Sequence, residues 1–179
     1  NPSHEEIGGE RVYPSLAEVP DAVDLAVCLV PWRFAMDTLE VAVDKGVRFV
    51  HFFTSGFSEV GNTDLEEAMV RVARNGGTRI VGPNCLGVVR PRVGLNASFA
   101  RSRVSSGHVA MVAQSGSFCS ALLDWADARD FGFSAVASLG ATADVDFGDV
   151  LDYLALDPQT HSILLYVEGI QHSRRFMSG

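Results

Sequence analysis

The 179 residues can hold one ordinary domain or two small ones, and an apolar fraction of 47% supports a packed core and excludes a disordered chain. The chain is acidic, with 14 Lys plus Arg against 22 Asp plus Glu, and no nucleic-acid partner is expected. No apolar run approaches the roughly 20 residues of a membrane helix, and Asn1-Pro-Ser-His-Glu-Glu6 has neither the basic nor the apolar region of a secretion signal. A cytoplasmic protein without membrane association is expected. The missing initiating Met fits a piece of a longer chain.

In chain order, the segment Tyr13-Pro-Ser-Leu-Ala-Glu-Val-Pro20 reads as a turn, a helical turn and an entry to a strand. Six short runs rich in Val, Ile, Phe and Leu then read as strands, at 25–30, 48–54, 79–81, 108–113, 134–139 and 163–167. They are nearly continuously apolar, as expected for strands of a parallel sheet covered on both faces. Helical patterns lie between them. Residues 32–45 carry Phe34, Ala35, Leu39, Ala42 and Val43 at helical spacing and end at Gly46. Residues 63–75 carry Leu65, Met69 and Val72, with Asp64, Glu66 and Glu67 at the positive end of the helix dipole. Residues 117–129 place Ala121, Leu122, Trp125 and Ala126 on one face, and 146–156 forms a last helix before Asp157-Pro158.

This strand–helix alternation predicts an α/β fold of parallel-sheet βαβ units. The segment 90–107, with Pro91, Gly94 and Gly107, reads as the connection between two domains, 1–100 and 105–179. Each half then has three strands, so each sheet looks incomplete. Cys28, Cys85 and Cys119 are widely spaced within apolar surroundings, without a CxxC pair. They read as reduced structural thiols, and no metal site is expected.

Charge is sorted along the chain. From Ala68 to Leu123 there are seven arginines (Arg71, Arg74, Arg79, Arg90, Arg92, Arg101 and Arg103) and no acid. Such a segment predicts a local positive field for a phosphorylated ligand, with Arg71 and Arg74 set aside as solvated helix charges. It contains two Gly-bearing turns after apolar runs, Ile80-Val-Gly-Pro-Asn-Cys-Leu-Gly87 and Val109-Ala-Met-Val-Ala-Gln-Ser-Gly-Ser117. Ligands of open α/β sheets bind at the carboxyl ends of strands, where these turns fall, together with Val30-Pro-Trp32 and Phe53-Thr-Ser-Gly-Phe57. Gly56 would let backbone approach a ligand, and Thr54 and Ser55 would supply hydroxyls. Ser115-Gly-Ser117 opens a helix, so it either caps that helix or binds phosphate on its free N–H groups. Glu168 stands at the end of the last strand, either as a solvated carboxylate or as an acid that orients an imidazole. Asp144 and Asp146 read as turn and cap. A hydrolase triad of Ser115, Asp144 or Asp146, and His161 or His172 has the right order for an α/β-hydrolase, but the flanking glycines are absent and too little chain follows.

Taken together the motifs resemble one family. They are Asn1-Pro2, Val12-Tyr-Pro-Ser15, Asp24-Leu-Ala-Val27 with Pro31, Ser55-Gly-Phe57, Gly82-Pro-Asn-Cys-Leu-Gly87 and Gly94-Leu-Asn-Ala97. They continue as Gln114-Ser-Gly116, Gly132-Phe-Ser134, Ser138-Leu-Gly140, Ala143-Asp144, Asp157-Pro158 and Glu168-Gly-Ile170. In this order they resemble the NDP-forming acyl-CoA synthetases, relatives of the succinyl-CoA synthetase α subunit. The resemblance implies a Rossmann-like CoA-binding domain whose first βαβ unit would precede Asn1, then part of a flavodoxin-like ligase domain.

The implied reaction is acyl-CoA + ADP + phosphate ⇌ carboxylic acid + CoA + ATP, through an acyl phosphate and a phosphohistidine that would lie beyond Gly179. The implied CoA contacts are Pro31, Phe53, Thr54, Ser55, Gly56, Asn84 and Cys85. Phosphate falls to Ser115, Gly116 and Ser117, and Glu168 steadies the phosphohistidine. ADP or ATP and Mg would bind elsewhere in the parent, on an ATP-grasp domain or subunit, within an oligomer. Two positions depart from the family pattern. Ala141 stands where Asn is common, and Ser120 stands where succinate-using relatives carry Tyr. The alternative implied by the same resemblance is an inactive acyl-CoA-sensing domain of a protein lysine acetyltransferase.

Overall fold

The computed structural model describes residues 3–171 and 173–177, apart from the side chain of Arg175. A small antiparallel hairpin of Glu6–Ile7 (β1) and Glu10–Arg11 (β2) comes first. The chain then alternates strand and helix through Leu25–Cys28 (β3), Ala35–Asp44 (α1), Phe49–Phe52 (β4), Thr63–Asn75 (α2) and Arg79–Val81 (β5). These strands form a parallel sheet in the order β3-β4-β5. The buried residues of α1, Ala35, Leu39 and Ala42, recur at the three-to-four spacing of one helix face. They meet Val50, Phe52 and Ile80 of the sheet and Met69 and Ala73 of α2 in one core. Phe34, expected on that face, is instead exposed, because Trp32–Phe34 is a 3-10 turn after Pro31 and α1 starts only at Ala35.

The second sheet is built from Gly87–Arg90 (β6), Leu95–Ser98 (β7), Ser106–Ala113 (β8), Phe133–Ser138 (β9) and Ser162–Tyr166 (β10), in the order β10-β8-β9-β6-β7. Strands β8, β9 and β10 are parallel. Gly116–Asp127 (α3) covers one face through Cys119, Leu123 and Ala126. Phe147–Ala155 (α4) covers the other through Phe147 and Leu154. A short helix, Ser173–Phe176 (α5), follows β10. The expected α/β class with parallel sheets therefore holds.

Three further features differ from the sequence reading. Part of the expected connection, 90–107, is the β6–β7 hairpin, which joins the second sheet antiparallel to β9. Its four-residue turn, Pro91 to Gly94, is closed by a 3-10 turn with Gly94 at φ 69°, so the Pro and Gly mark a hairpin and not a linker. The chain changes sheet between Val81 and Gly87, and residues 87–98 pair with strands of the second half. On α3, Trp125 faces outward at 45% exposure beside Arg129 and Phe131, while Cys119 takes the inner position.

The arginines of the acid-free segment are the third difference. Arg74 Nε and Arg79 Nε reach the two oxygens of Asp144 at 2.7 and 2.9 Å, and Arg79 also reaches Asp149 at 3.1 Å. Arg90 pairs with Asp157 at 2.8 Å, Arg92 bonds Gln159, and Arg71 meets Glu67 at 3.7 Å. Arg74 is thus an ion-pair partner as well as a half-solvated charge. The Arg74 and Arg79 pairs join α2 and β5 to the loop before α4 and to the first turn of α4. Asp144 is fully buried and also accepts from Ile80 N at 2.8 Å, so it is a clamp between the two sheets. Asp146 caps α4 in a reciprocal capping box with Asp149, as expected.

Candidate functional site

Both sheets present the carboxyl ends of their parallel strands to one cleft of about 650 Å³. Its walls come from the turn after β4 (Phe53, Ser58, Glu59), the turn after β5 (Asn84, Cys85, Leu86) and the start of α3 (Gln114 to Ser117, then Ser120). Phe99, Gly140, Ala141 and Glu168 complete them. Of the residues singled out from sequence, Phe53, Asn84, Cys85, Ser115, Gly116, Ser117 and Glu168 converge here. Pro31, Thr54, Ser55 and Gly56 do not line the cleft. They lie in the neighbouring turns of the first sheet, where the Thr54 hydroxyl donates to Val30 O at 2.6 Å.

The turn after β4 is bonded differently from the expectation. Glu59 accepts from Gly56 N at 2.5 Å and Phe57 N at 3.1 Å, so a carboxylate of the protein already takes those donors. A methyl at Gly56 would overlap the Trp32 ring, and packing by itself accounts for this glycine. Glu59 and the cleft-lining Phe99 were missed from sequence. An acid three residues after a Gly turn was a usable signal for the first, whereas Phe99 lay inside the presumed linker.

Asn84 stands at the tip of its turn in the left-handed region, φ 56°, which Asn tolerates better than most residues. Its N–H donates to Thr54 O at 3.1 Å, and its exposed side chain faces the cleft. The loop 140–145 runs alongside, with Ala141 N donating to Pro83 O at 2.9 Å and Ala143 N to Gly82 O at 3.1 Å. Cys85 is buried, its thiol donates to Phe52 O at 3.2 Å, and burial pushes its pKa up to about 12. A thiol so held is not a nucleophile at neutral pH.

Ser115 is the N-cap of α3, its hydroxyl accepting from Phe118 N at 3.2 Å. The cap reading therefore holds for Ser115 itself. The N–H groups of Gly116 and Ser117 precede the first donor of the helix ladder and stand at its positive end. A methyl at Gly116 would meet nothing closer than Leu86 at 3.6 Å, an ordinary contact, so packing does not demand glycine there. Glu168 is exposed and lines the same cleft.

The hydrolase constellation does not assemble. Asp144 is spent on two arginines, and His161 stacks on His108 at 4.4 Å, at the amino ends of β8 and β10, away from Ser115. His172 lies outside the described residues, as do Asn1 and Pro2 of the first motif. Among the described residues no group of three His, Cys, Asp or Glu could hold a metal ion, and no helix is long and apolar enough to cross a membrane.

Comparison with known proteins places this arrangement. Residues 1–91 match the model of a CoA binding domain, and residues 106–179 match that of a succinyl-CoA ligase like flavodoxin domain. The chain belongs to the CoA binding domain family. The order of its two domains is the one implied by the resemblance to NDP-forming acyl-CoA synthetases. It is 40% identical over 179 residues to acetate–CoA ligase [ADP-forming] I of Archaeoglobus fulgidus, covering 99% of this chain and 26% of that protein. It is 43% identical to acetate–CoA ligase [ADP-forming] I subunit alpha of Pyrococcus furiosus, covering 96% of this chain and 38% of the relative. The apo structure of acetyl-coenzyme A synthetase 1 from Candidatus Korarchaeum cryptofilum superposes with a TM-score of 0.96 at 40% identity, over 99% of this chain and 39% of the other. The chain thus spans well under half the length of these relatives.

Proposed function

We propose that this chain is the part of an ADP-forming acyl-CoA synthetase that brings CoA and phosphate together, within a longer protein or assembly acting on a small carboxylic acid. The observation that carries this reading is the single cleft in which the Asn84–Cys85 turn of the first sheet faces the α3 start and Glu168 of the second. In the direction of acid release, phosphate held on the Gly116 and Ser117 N–H groups attacks the thioester carbonyl. The carbon–sulfur bond breaks, CoA leaves as its thiol, and an acyl phosphate remains. The helix start supplies fixed donors to an anion at no cost in reorganisation. Asn84 offers an amide donor beside the thioester. Pro31, Thr54, Ser55 and Gly56 shape the first-sheet turns that the rest of CoA would follow.

Glu168 then steadies an imidazole that takes the phosphoryl group from the acyl phosphate, with the carboxylate leaving as the phosphorus–oxygen bond breaks, and passes it to ADP to give ATP. That histidine, the nucleotide and Mg belong to other segments, with an ATP-grasp unit as the expected partner in a cytoplasmic oligomer. A related structure, that of the Korarchaeum synthetase, carries phosphate and ADP, which supports the pairing of these ligands. Ser120 and Ala141 line the cleft, and a serine there in place of a tyrosine favours a substrate without a second carboxylate. The test is a coupled assay of the full-length protein with ADP, phosphate and a panel of acyl-CoAs. CoA release that requires both ADP and phosphate is expected. Acyl-CoA binding without any such turnover would overturn the synthetase reading in favour of acyl-CoA sensing.

A further inference from the structure

The turn that carries Glu168 has few attachments of its own. Strand β10 is an edge strand among the described residues, paired with β8 alone. Its ladder ends where Gln114 N donates to Tyr166 O at 3.1 Å. Beyond that point Val167 to Gln171 are all exposed. Two donors in this stretch, Glu168 N and Gly169 N, converge on one atom, Gln114 Oε1, at 2.6 and 3.0 Å. An amide oxygen has two lone pairs, and here both are used. Among the described residues the other bond of this stretch, Gln171 Nε2 to Ala141 O, is long at 3.4 Å.

We infer that Gln114 is a positioning residue: its side chain holds the Glu168 turn in fixed relation to the α3 start, so that acid and phosphate site face each other. The inference rests on the synthetase reading of Glu168. Gln114 is joined directly to Ser115, the cap of α3. One residue thus follows β8 directly, adjoins the phosphate-holding turn and carries the acid-bearing one. The residue type follows from this geometry. Leu has no acceptor for the two N–H groups. Glu would accept both, but its charge would oppose an anion in the cleft. Gln is the neutral acceptor of the right reach.

The test uses the full-length protein with Gln114→Leu, Gln114→Glu, Glu168→Gln and the double variant Gln114→Leu/Glu168→Gln. Gln114→Leu is expected to speed amide hydrogen exchange at Glu168 and Gly169. It should lower kcat by about 10–100-fold, the order seen when partners that orient a reacting group are lost, with the KM for CoA unchanged. In the Glu168→Gln background the same change should be nearly silent, because there is no acid left to position. Gln114→Glu should keep slow exchange at both amides yet raise the KM for phosphate, and it decides the matter if Gln114→Leu does not fold.

Unchanged exchange in Gln114→Leu, an equal loss of kcat with or without Glu168, or an unchanged phosphate KM in Gln114→Glu would overturn the inference. If Glu168→Gln itself is as active as the wild type, the synthetase reading of Glu168 fails, and the inference fails with it for that separate and visible reason.

Discussion

Asp144 ties α2 and β5 to the loop before α4. Its carboxylate has no exposure and is held by two guanidinium groups and one backbone N–H. Removing one partner of a buried pair costs roughly 3–5 kcal/mol. Here Arg74 and Arg79 keep 53% and 34% side-chain exposure, so water recovers part of the loss. Asp144→Ala is expected to lower unfolding free energy by about 2–3 kcal/mol, measured by urea denaturation, with the midpoint and not the slope moving. No destabilisation would contradict the clamp. His51 makes a different prediction. It is fully buried between the sheets, neither ring nitrogen makes a hydrogen bond of good geometry, and burial, opposed in part by the nearby Ser138 backbone, lowers its pKa from 6.5 to about 4. The unfolded chain therefore binds this proton first. The contribution of neutral His51 is complete above pH 6.5 and is lost as pH falls toward 4, by up to about 3 kcal/mol. In His51→Leu, stability measured across that window should fall less steeply than in the wild type, and an unchanged slope would refute the assignment.

At the scale of elements, the α3 start serves both the fold and the site. Ser115→Ala removes a cap worth about 1 kcal/mol, visible as a lower thermal midpoint, while Gly116 and Ser117 keep their free N–H groups. Phosphate affinity should therefore change less than stability does. The loop 139–145 works by contact. Gly140 has φ 55°, and a methyl there would overlap the carbonyl oxygens of Pro83 and Asn84. Gly140→Ala should displace the Asn84 turn and weaken CoA binding by calorimetry, and unaltered affinity would separate that turn from CoA.

Elements with strong local signals were legible. The helix Thr63–Asn75 has acids at its start and glycines after its end, and it was placed to the residue. The six apolar strands were placed to within two residues at their ends. The β6–β7 hairpin was not found, because strands of four residues around a Pro–Gly turn carry too little periodicity to separate from a connection. The site was legible where one turn carries its own signal, as at Asn84 and Ser115. It was hidden where function depends on a partner far along the chain, as with Gln114 holding Glu168.

For the molecule as a whole, sorted charge means something other than it first implied. Acids that follow the acid-free segment, Asp144, Asp149 and Asp157, take three of its arginines: Arg74 and Arg79 join the two sheets, Arg90 is paired within the second half, and no arginine of the segment lines the cleft. What the clamp produces is the cleft itself, since the turns after β5 and β8 come from different sheets and meet only when those sheets are locked together. On this reading the shared cleft holds the thiol end of CoA and the phosphate side by side. The most direct measurement is a crystal structure of the full-length protein grown with CoA and phosphate. The expected result is an anion within hydrogen-bond distance of the Gly116 and Ser117 N–H groups, with the CoA sulfur against the Asn84–Cys85 turn. Both ligands bound elsewhere, with this cleft empty, would contradict it.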